Sequence, residues 1–254
     1  MVMAEATNHY FKHLGVSDGL SQVCIPSIYQ DELGAVWLGT TEGLNRYNGK
    51  DVKVFQPSES NHGLTNNEIN ELCGDKNGRM YIRSGNDLIK LDIYTEQFTC
   101  LRQKGVYGLF CKKDTLWVSC ADGIYYYTGQ GTELTFFARV QKGFVGRALY
   151  VDKETVWVVT RKYLVAISRE DPLRQEILLT LDKGNCILGD SSGNIWVGAW
   201  NGLYRISPNR ETTAYVSHSG MGELSDNQVR CVLEDDFKHI WVGTFKGIDC
   251  YDPV

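Results

Sequence analysis

One short motif recurs six times along the 254-residue chain, and it limits the fold more than any other feature of the sequence. In each copy an aromatic residue lies between two apolar residues, and an aliphatic residue follows seven positions after the aromatic one. The aromatic positions are Trp37, Tyr81, Trp117, Trp157, Trp196 and Trp241. Their spacing of about 40 residues is typical of repeat proteins, in which each copy forms one supersecondary unit.

Each repeat predicts four short strands that are covered on both faces. Residues 31–34 and 190–193 predict the first turn, because Asp bonds backbone amides and Gly accepts a positive φ. Lys238 replaces this Gly in the last repeat, so we expect a strained hairpin there. The second strand, at residues 36–40, has apolar residues on both faces, whereas a sheet with one wet face would alternate. Radial stacking covers both faces and predicts an all-β fold, a β-propeller with six recognisable four-stranded blades.

The ends of the chain predict how the ring closes. We expect residues 1–18 to contain an outer strand, because residues 9–14 resemble a fourth strand with no unit before it. The last repeat lacks a fourth strand, so this N-terminal strand would complete it by hydrogen bonding and remove an exposed edge. The propeller itself is expected at residues 19–254, with repeats at about 19–62, 63–104, 105–142, 143–183, 184–223 and 224–254. Both a closed ring of six blades and a fragment of a seven-bladed ring remain open.

Composition excludes several classes of partner and cofactor. The net charge is −5 and the chain has no Lys/Arg cluster, so we expect no nucleic-acid partner. It has no apolar run of about 18 residues, so we expect no membrane segment in this chain. None of the eight cysteines forms a Cys-x-x-Cys pair, and no His/Cys spacing suggests zinc. The sequence therefore predicts neither a metal nor a cofactor, and it predicts no catalytic residue.

The first and last repeats resemble the two-component regulator propeller repeat. Residues 28–47 and 232–251 both contain an Asp, a Trp-x-Gly-Thr segment, a Gly followed by Leu or Ile, and a final Tyr. The resemblance implies the periplasmic sensor region of a Bacteroides-type hybrid two-component system, part of an inner-membrane-anchored sensor histidine kinase. It also implies an oligosaccharide ligand, a homodimer, and contacts with the remaining propeller and signalling domains of the parent chain.

Ligand contacts are expected in the loops between the second and third strands, since these loops vary while the strands keep one pattern. An aromatic face suits the C–H side of a pyranose, amides suit its hydroxyls, and cations suit an acidic glycan. The candidate ligand-binding residues are Trp200, Asn201, Phe245, Lys246, Arg161 and Lys162. The alternative is that both aromatic residues pack under a neighbouring loop and that the charged residues are solvated.

Two other functions remain open beside the glycan sensor. One is a scaffold that binds proteins or a second copy of this chain and takes no small ligand. The other is a metal-assisted propeller lyase, which rests on His62 and His218 alone. Two histidines without a nearby acidic partner are weak support for acid–base chemistry.

Overall fold

The fold is built almost entirely of short antiparallel strands. The computed structural model describes residues 13–57, 63–102, 104–217 and 224–252, and these form six separate sheets. The first three sheets contain β1 (Ser27–Gln30), β2 (Val36–Thr40), β3 (Gly43–Tyr47), β4 (Val52–Phe55); β5 (Ile69–Gly74), β6 (Arg79–Ser84), β7 (Asp87–Asp92), β8 (Gln97–Arg102); and β9 (Val106–Lys112), β10 (Thr115–Cys120), β11 (Gly123–Tyr127), β12 (Thr135–Ala138). The last three contain β13 (Gly146–Val151), β14 (Thr155–Thr160), β15 (Tyr163–Ser168), β16 (Gln175–Thr180); β17 (Cys186–Gly189), β18 (Ile195–Ala199), β19 (Gly202–Ile206), β20 (Thr212–Tyr215); and β21 (Val229–Glu234), β22 (Ile240–Thr244), β23 (Ile248–Tyr251).

The sheets are the blades of a six-bladed propeller, so the predicted fold is confirmed. Strands within a sheet pair in chain order, with four strands in five blades and three described strands in the last. The first strands of consecutive blades contact one another, and the first strands of all six blades line one central cavity. Each sheet lies within one of the six predicted repeats. The N-terminal outer strand was predicted mainly on residues that lie outside the described ranges, and Val16–Asp18 forms a short 3-10 helix.

The repeated aromatic residue packs each blade against the next. Trp37 and Leu44 of the first blade form one buried cluster with Leu72, Met80 and Ile82 of the second. In the second to sixth blades the residues on either side of the aromatic cover the preceding blade in the same way, which explains why the second strand is apolar on both faces. Burial of the apolar surface between neighbouring blades is the main source of stability, and it contributes about 25 cal/mol per Å².

The first turn of each blade is held by its aspartate. Asp31 Oδ2 accepts a hydrogen bond from Nε1 of Trp37 at 2.7 Å, and its Oδ1 accepts one from the Ala35 amide at 2.9 Å. The same carboxylate–indole bond joins Asp and Trp in three further blades: Asp152–Trp157, Asp190–Trp196 and Asp235–Trp241. Gly34 has a φ of 86°, and Lys238 takes a φ of 70° at the corresponding position. The expected strain at Lys238 is therefore present, because a side chain in this region is unfavourable.

The two end blades each leave apolar side chains exposed. Ile28 of the first blade is 63% exposed, whereas its equivalent Leu72 is 7% exposed. Leu233 and Ile248 of the last blade are 62% and 68% exposed. The seventh blade stays a prediction. Among the described residues, no helix is long and apolar enough to span a membrane.

Candidate ligand-binding site in the central channel

Four blades carry a β-bulge at the same place in their first strand. The pairing of β5 with β6 shifts between Ile69 and Glu71, which leaves Asn70 without a partner residue. Corresponding shifts leave Tyr107, Arg147 and Arg230 unpaired in the third, fourth and sixth blades. A bulge changes the direction in which a side chain points, and bulges are frequent beside functional sites.

All four bulge residues line one central cavity. This cavity has a volume of about 880 Å³ and is bounded by residues from every blade. Pro26 of the first blade and Asn185 of the fifth complete the ring at the corresponding positions. The cavity is therefore lined by one residue from the aligned position of each blade, and these residues are of four types: Pro26, Asn70, Tyr107, Arg147, Asn185 and Arg230.

The two amides of this ring are held by hydrogen bonds to the protein. Nδ2 of Asn70 donates to the carbonyl of Gly85 at 3.1 Å. Nδ2 of Asn185 donates to the carbonyl of Arg230 at 2.8 Å and so joins the fifth blade to the sixth. Among the residues that the structure describes, the side chains of Tyr107, Arg147 and Arg230 make no hydrogen bond or ion pair. These three side chains are therefore the ones available to a ligand.

Charged groups surround the channel unevenly. Arg83 and Glu71 lie opposite each other in the second blade, with Nε of Arg83 3.3 Å from Oε2 of Glu71. Burial raises the pKa of Glu71 to about 7, although Arg83 opposes this shift. Burial, together with the positive charges of Arg161 and Arg83, lowers the pKa of Arg147. The channel beside Arg147 thus has a positive potential that Glu71 only partly neutralises.

The predicted loop aromatics lie beside the channel and are covered by cations. Nζ of Lys183 lies 3.4 Å from the ring centroid of Trp200, and the guanidinium of Arg230 lies 5.5 Å from it. Arg230 also lies 5.6 Å from the ring of Phe245, so it joins the two aromatics. Phe245 is exposed and Trp200 is half-buried. Their role in stacking a sugar stays a prediction.

The predicted polar residues are more dispersed. Nδ2 of Asn201 donates to the Tyr204 hydroxyl and its Oδ1 accepts from the Asp182 amide, so the structure uses both ends of this amide. Lys246 pairs with Asp226 at 3.2 Å. Arg161 and Lys162 are exposed in the β14–β15 loop, and the charge of Arg161 acts on Arg147. None of the six predicted residues lines the central cavity, but three of them lie next to residues that do.

Sequence reasoning missed the bulge residues, which provide the side chains of the channel. Each of them stands 10 or 11 positions before the repeat aromatic, so they occupy one aligned position of the repeat. Apart from Glu71, the residues next to this position are apolar or small, while the residue itself changes from Asn to Tyr to Arg. That variation at a fixed position was the available signal.

The lyase hypothesis receives no support from described residues. His62 and His218 lie outside the described ranges. Within those ranges, no group of three or more His, Cys, Asp and Glu side chains is arranged to hold a metal ion.

Comparisons with known proteins confirm the predicted resemblance. The family model for the two-component regulator propeller matches residues 223–246. The chain is 40% identical over 53 residues to histidine kinase P4 of Formosa agariphila, which is 21% of this chain and 4% of that protein. The chain therefore spans a small part of the curated relative that it matches.

Solved structures show the same fold in proteins of different function. The extracellular domain of a protein described as a hybrid two-component system from B. thetaiotaomicron matches with a TM-score of 0.72 and 21% identity, over 96% of this chain and 42% of that one. Virginiamycin B lyase from Staphylococcus aureus matches with a TM-score of 0.66 and 12% identity, over 91% of this chain and 85% of that one. At these identities the likeness shows the fold alone.

Proposed function

We propose that this chain is a ligand-sensing propeller of a hybrid two-component system, which binds an oligosaccharide in its central channel. The observation that carries the proposal is the set of four bulge residues that line the channel, an amide, a phenol and two guanidinium groups from four different blades. The family match at residues 223–246 and the short match to a histidine kinase support the sensory context. In this context the chain lies in the periplasm and transmits its signal through a larger parent protein.

The channel has the size and the chemistry that a short oligosaccharide needs. Ligand pockets in proteins commonly measure about 300–1,000 Å³, and this cavity measures about 880 Å³. Tyr107 offers an aromatic ring for the C–H face of a pyranose, and its hydroxyl has no partner among the described residues. Arg147 and Arg230 offer hydrogen-bond donors to the hydroxyls of the sugar.

Isothermal titration calorimetry tests the proposal with a panel of purified neutral and acidic oligosaccharides. We expect at least one to bind, and we expect Tyr107→Ala to weaken that binding about tenfold, since burying an aromatic face contributes roughly 1.5 kcal/mol. Tyr94→Ala is the matched control, because Tyr94 is exposed in the turn between β7 and β8, away from the cavity lining. A Tyr107→Ala variant that binds as tightly as the unaltered chain would remove the channel as the binding site.

A second candidate function is the binding of another protein domain or a second copy of the chain. The exposed apolar residues of the last blade favour it, since Leu233, Phe237 and Ile248 are each more than half exposed. Exposed apolar patches of this kind often mark protein contacts. A chain that is dimeric by light scattering and binds no oligosaccharide of the panel would favour this second function.

A further inference from the structure

Positive charge is concentrated in the channel of an otherwise acidic chain. The chain carries a net charge of −5, yet the charged residues that line the cavity within the described ranges are Arg83, Arg147 and Arg230 on one side and Glu71 on the other. Arg161 follows Thr160, which pairs with Gly146 next to Arg147, and its positive charge acts on Arg147. The centre of the propeller therefore has the opposite sign to the molecule as a whole.

Three of these four arginines have no acidic partner among the described residues. Arg83 pairs with Glu71 at 3.3 Å. Across the described ranges, Arg147, Arg161 and Arg230 form no ion pair. Like charges held together in a partly buried site repel each other, and this repulsion contributes to the lowered pKa of Arg147. An anion bound between them would relieve this repulsion.

The position of Arg147 is fixed by the backbone. Arg147 is the extra residue of the bulge between Gly146 and Ala148, so the register of β13 directs it to the cavity. Gly146 leaves room for this bend, because a Cβ there would lie 2.6 Å from Oγ of Ser119. The backbone of Arg147 is thus held within a paired strand and not in a loop, which favours a defined site.

We infer that the channel selects an acidic oligosaccharide, whose carboxylate or sulfate groups bind Arg147 with Arg83 and Arg161 beside it. This inference rests on the proposed function and adds the chemical class of the ligand. A guanidinium binds carboxylate and sulfate through paired N–H donors, which gives both strength and orientation. Tyr107 lies in the blade between those of Arg83 and Arg147, so a sugar ring stacked on it brings its acidic substituent to the arginines.

The test compares matched pairs of ligands that differ only in charge. Oligogalacturonate is titrated against its methyl ester, and a sulfated galacto-oligosaccharide against its desulfated form, with sodium sulfate and galacturonic acid as the free-anion arms. We expect one or both acidic oligosaccharides to bind at least about tenfold more tightly than the neutral partner, and more weakly as salt rises. Arg147→Gln should remove most of this preference, and Arg147→Lys should retain part of it.

Arg174→Gln provides the control, because it removes the same charge from the β15–β16 connection, outside the cavity lining. Thermal unfolding of both variants shows that each is folded. Equal affinity for the acidic and neutral members of each pair, or an Arg147→Gln variant that keeps the preference, overturns the inference and leaves the proposed function standing. If sulfate alone binds as tightly as the oligosaccharides, the ligand is a free anion and not a glycan, and the inference is overturned. Absence of binding by every oligosaccharide overturns the inference and the proposed function together.

Discussion

The hydrogen bonds of the Asp31 carboxylate offer a test of how the blades are held together. Asp31 is 4% exposed and lies in the turn between the first two strands of the first blade. It accepts hydrogen bonds from the amides of Leu33 and Ala35 and from the indole of Trp37. Hydrogen bonds to a carboxylate are stronger than those between neutral groups.

Asp31→Ala should lower stability substantially, because two buried donors lose their acceptor. The Ala35 amide and the indole N–H of Trp37 are both buried, and an unsatisfied buried donor costs about 1–3 kcal/mol. We therefore expect a loss of about 4 kcal/mol in the free energy of unfolding. In a domain of this size each kcal/mol lowers Tm by about 2–4 °C, so Tm should fall by about 10 °C.

Differential scanning calorimetry measures the effect, with Asp114→Ala as the control. Asp114 lies in the corresponding, shorter turn of the third blade, and its side chain is 68% exposed. It bonds Asn77 at 2.8 Å and approaches Arg79 at 3.6 Å, and such surface contacts contribute about 1 kcal/mol or less. Equal losses from the two substitutions would refute the reasoning, because burial of the carboxylate would then make no difference.

Two further predictions concern strain and protonation. Lys238→Gly should raise the free energy of unfolding by about 1 kcal/mol in chemical denaturation, since Lys238 has a φ of 70°. Lys153→Gly is the control and should not raise it, because Lys153 lies in a turn without positive φ. Any loss of stability in Lys238→Gly would contradict this. Burial raises the pKa of Glu71 from 4.5 to about 7, so the folded state holds this proton more tightly and loses stability as pH rises through 7. Glu71→Gln should reduce the fall in Tm between pH 5 and pH 8, and an unchanged fall would show that Glu71 is not its source.

The fold was predictable because its cause is periodic in the sequence. Every second strand needs cover on both faces, and the aromatic residue that provides it recurs in register, as at Trp37 and Trp196. The Asp and Gly of the first turn were equally visible, since the turn needs an acceptor for its amides and a positive φ. The turn is formed by residues a few positions apart, and the aromatic recurs at a regular spacing. Both features are therefore visible in the sequence.

The site was less predictable because its geometry depends on the register between strands. The segment from Val229 to Cys231 has an ordinary strand composition, and nothing in it shows that Arg230 is an extra residue. The sequence left open whether Trp200 stacks a ligand or packs under a neighbouring loop, and it gave no sign that Lys183 of the preceding loop lies over the ring. Contacts of this kind are decided by tertiary structure and leave no periodic pattern.

The positions that hold the blades together are separate from those that line the channel. This separation explains how one fold can serve different ligands. The residues that hold a blade, such as Asp190 and Trp196, point away from the channel and bond each other. The bulge residues, such as Tyr107 and Arg147, take no part in the buried clusters and change from blade to blade. If the channel binds a ligand as proposed, substitution at a bulge should alter that binding at little cost to the framework. For this reason the similarity to a sensor domain and to a lyase shows the fold alone, and the proposed ligand class rests on the side chains that line the channel.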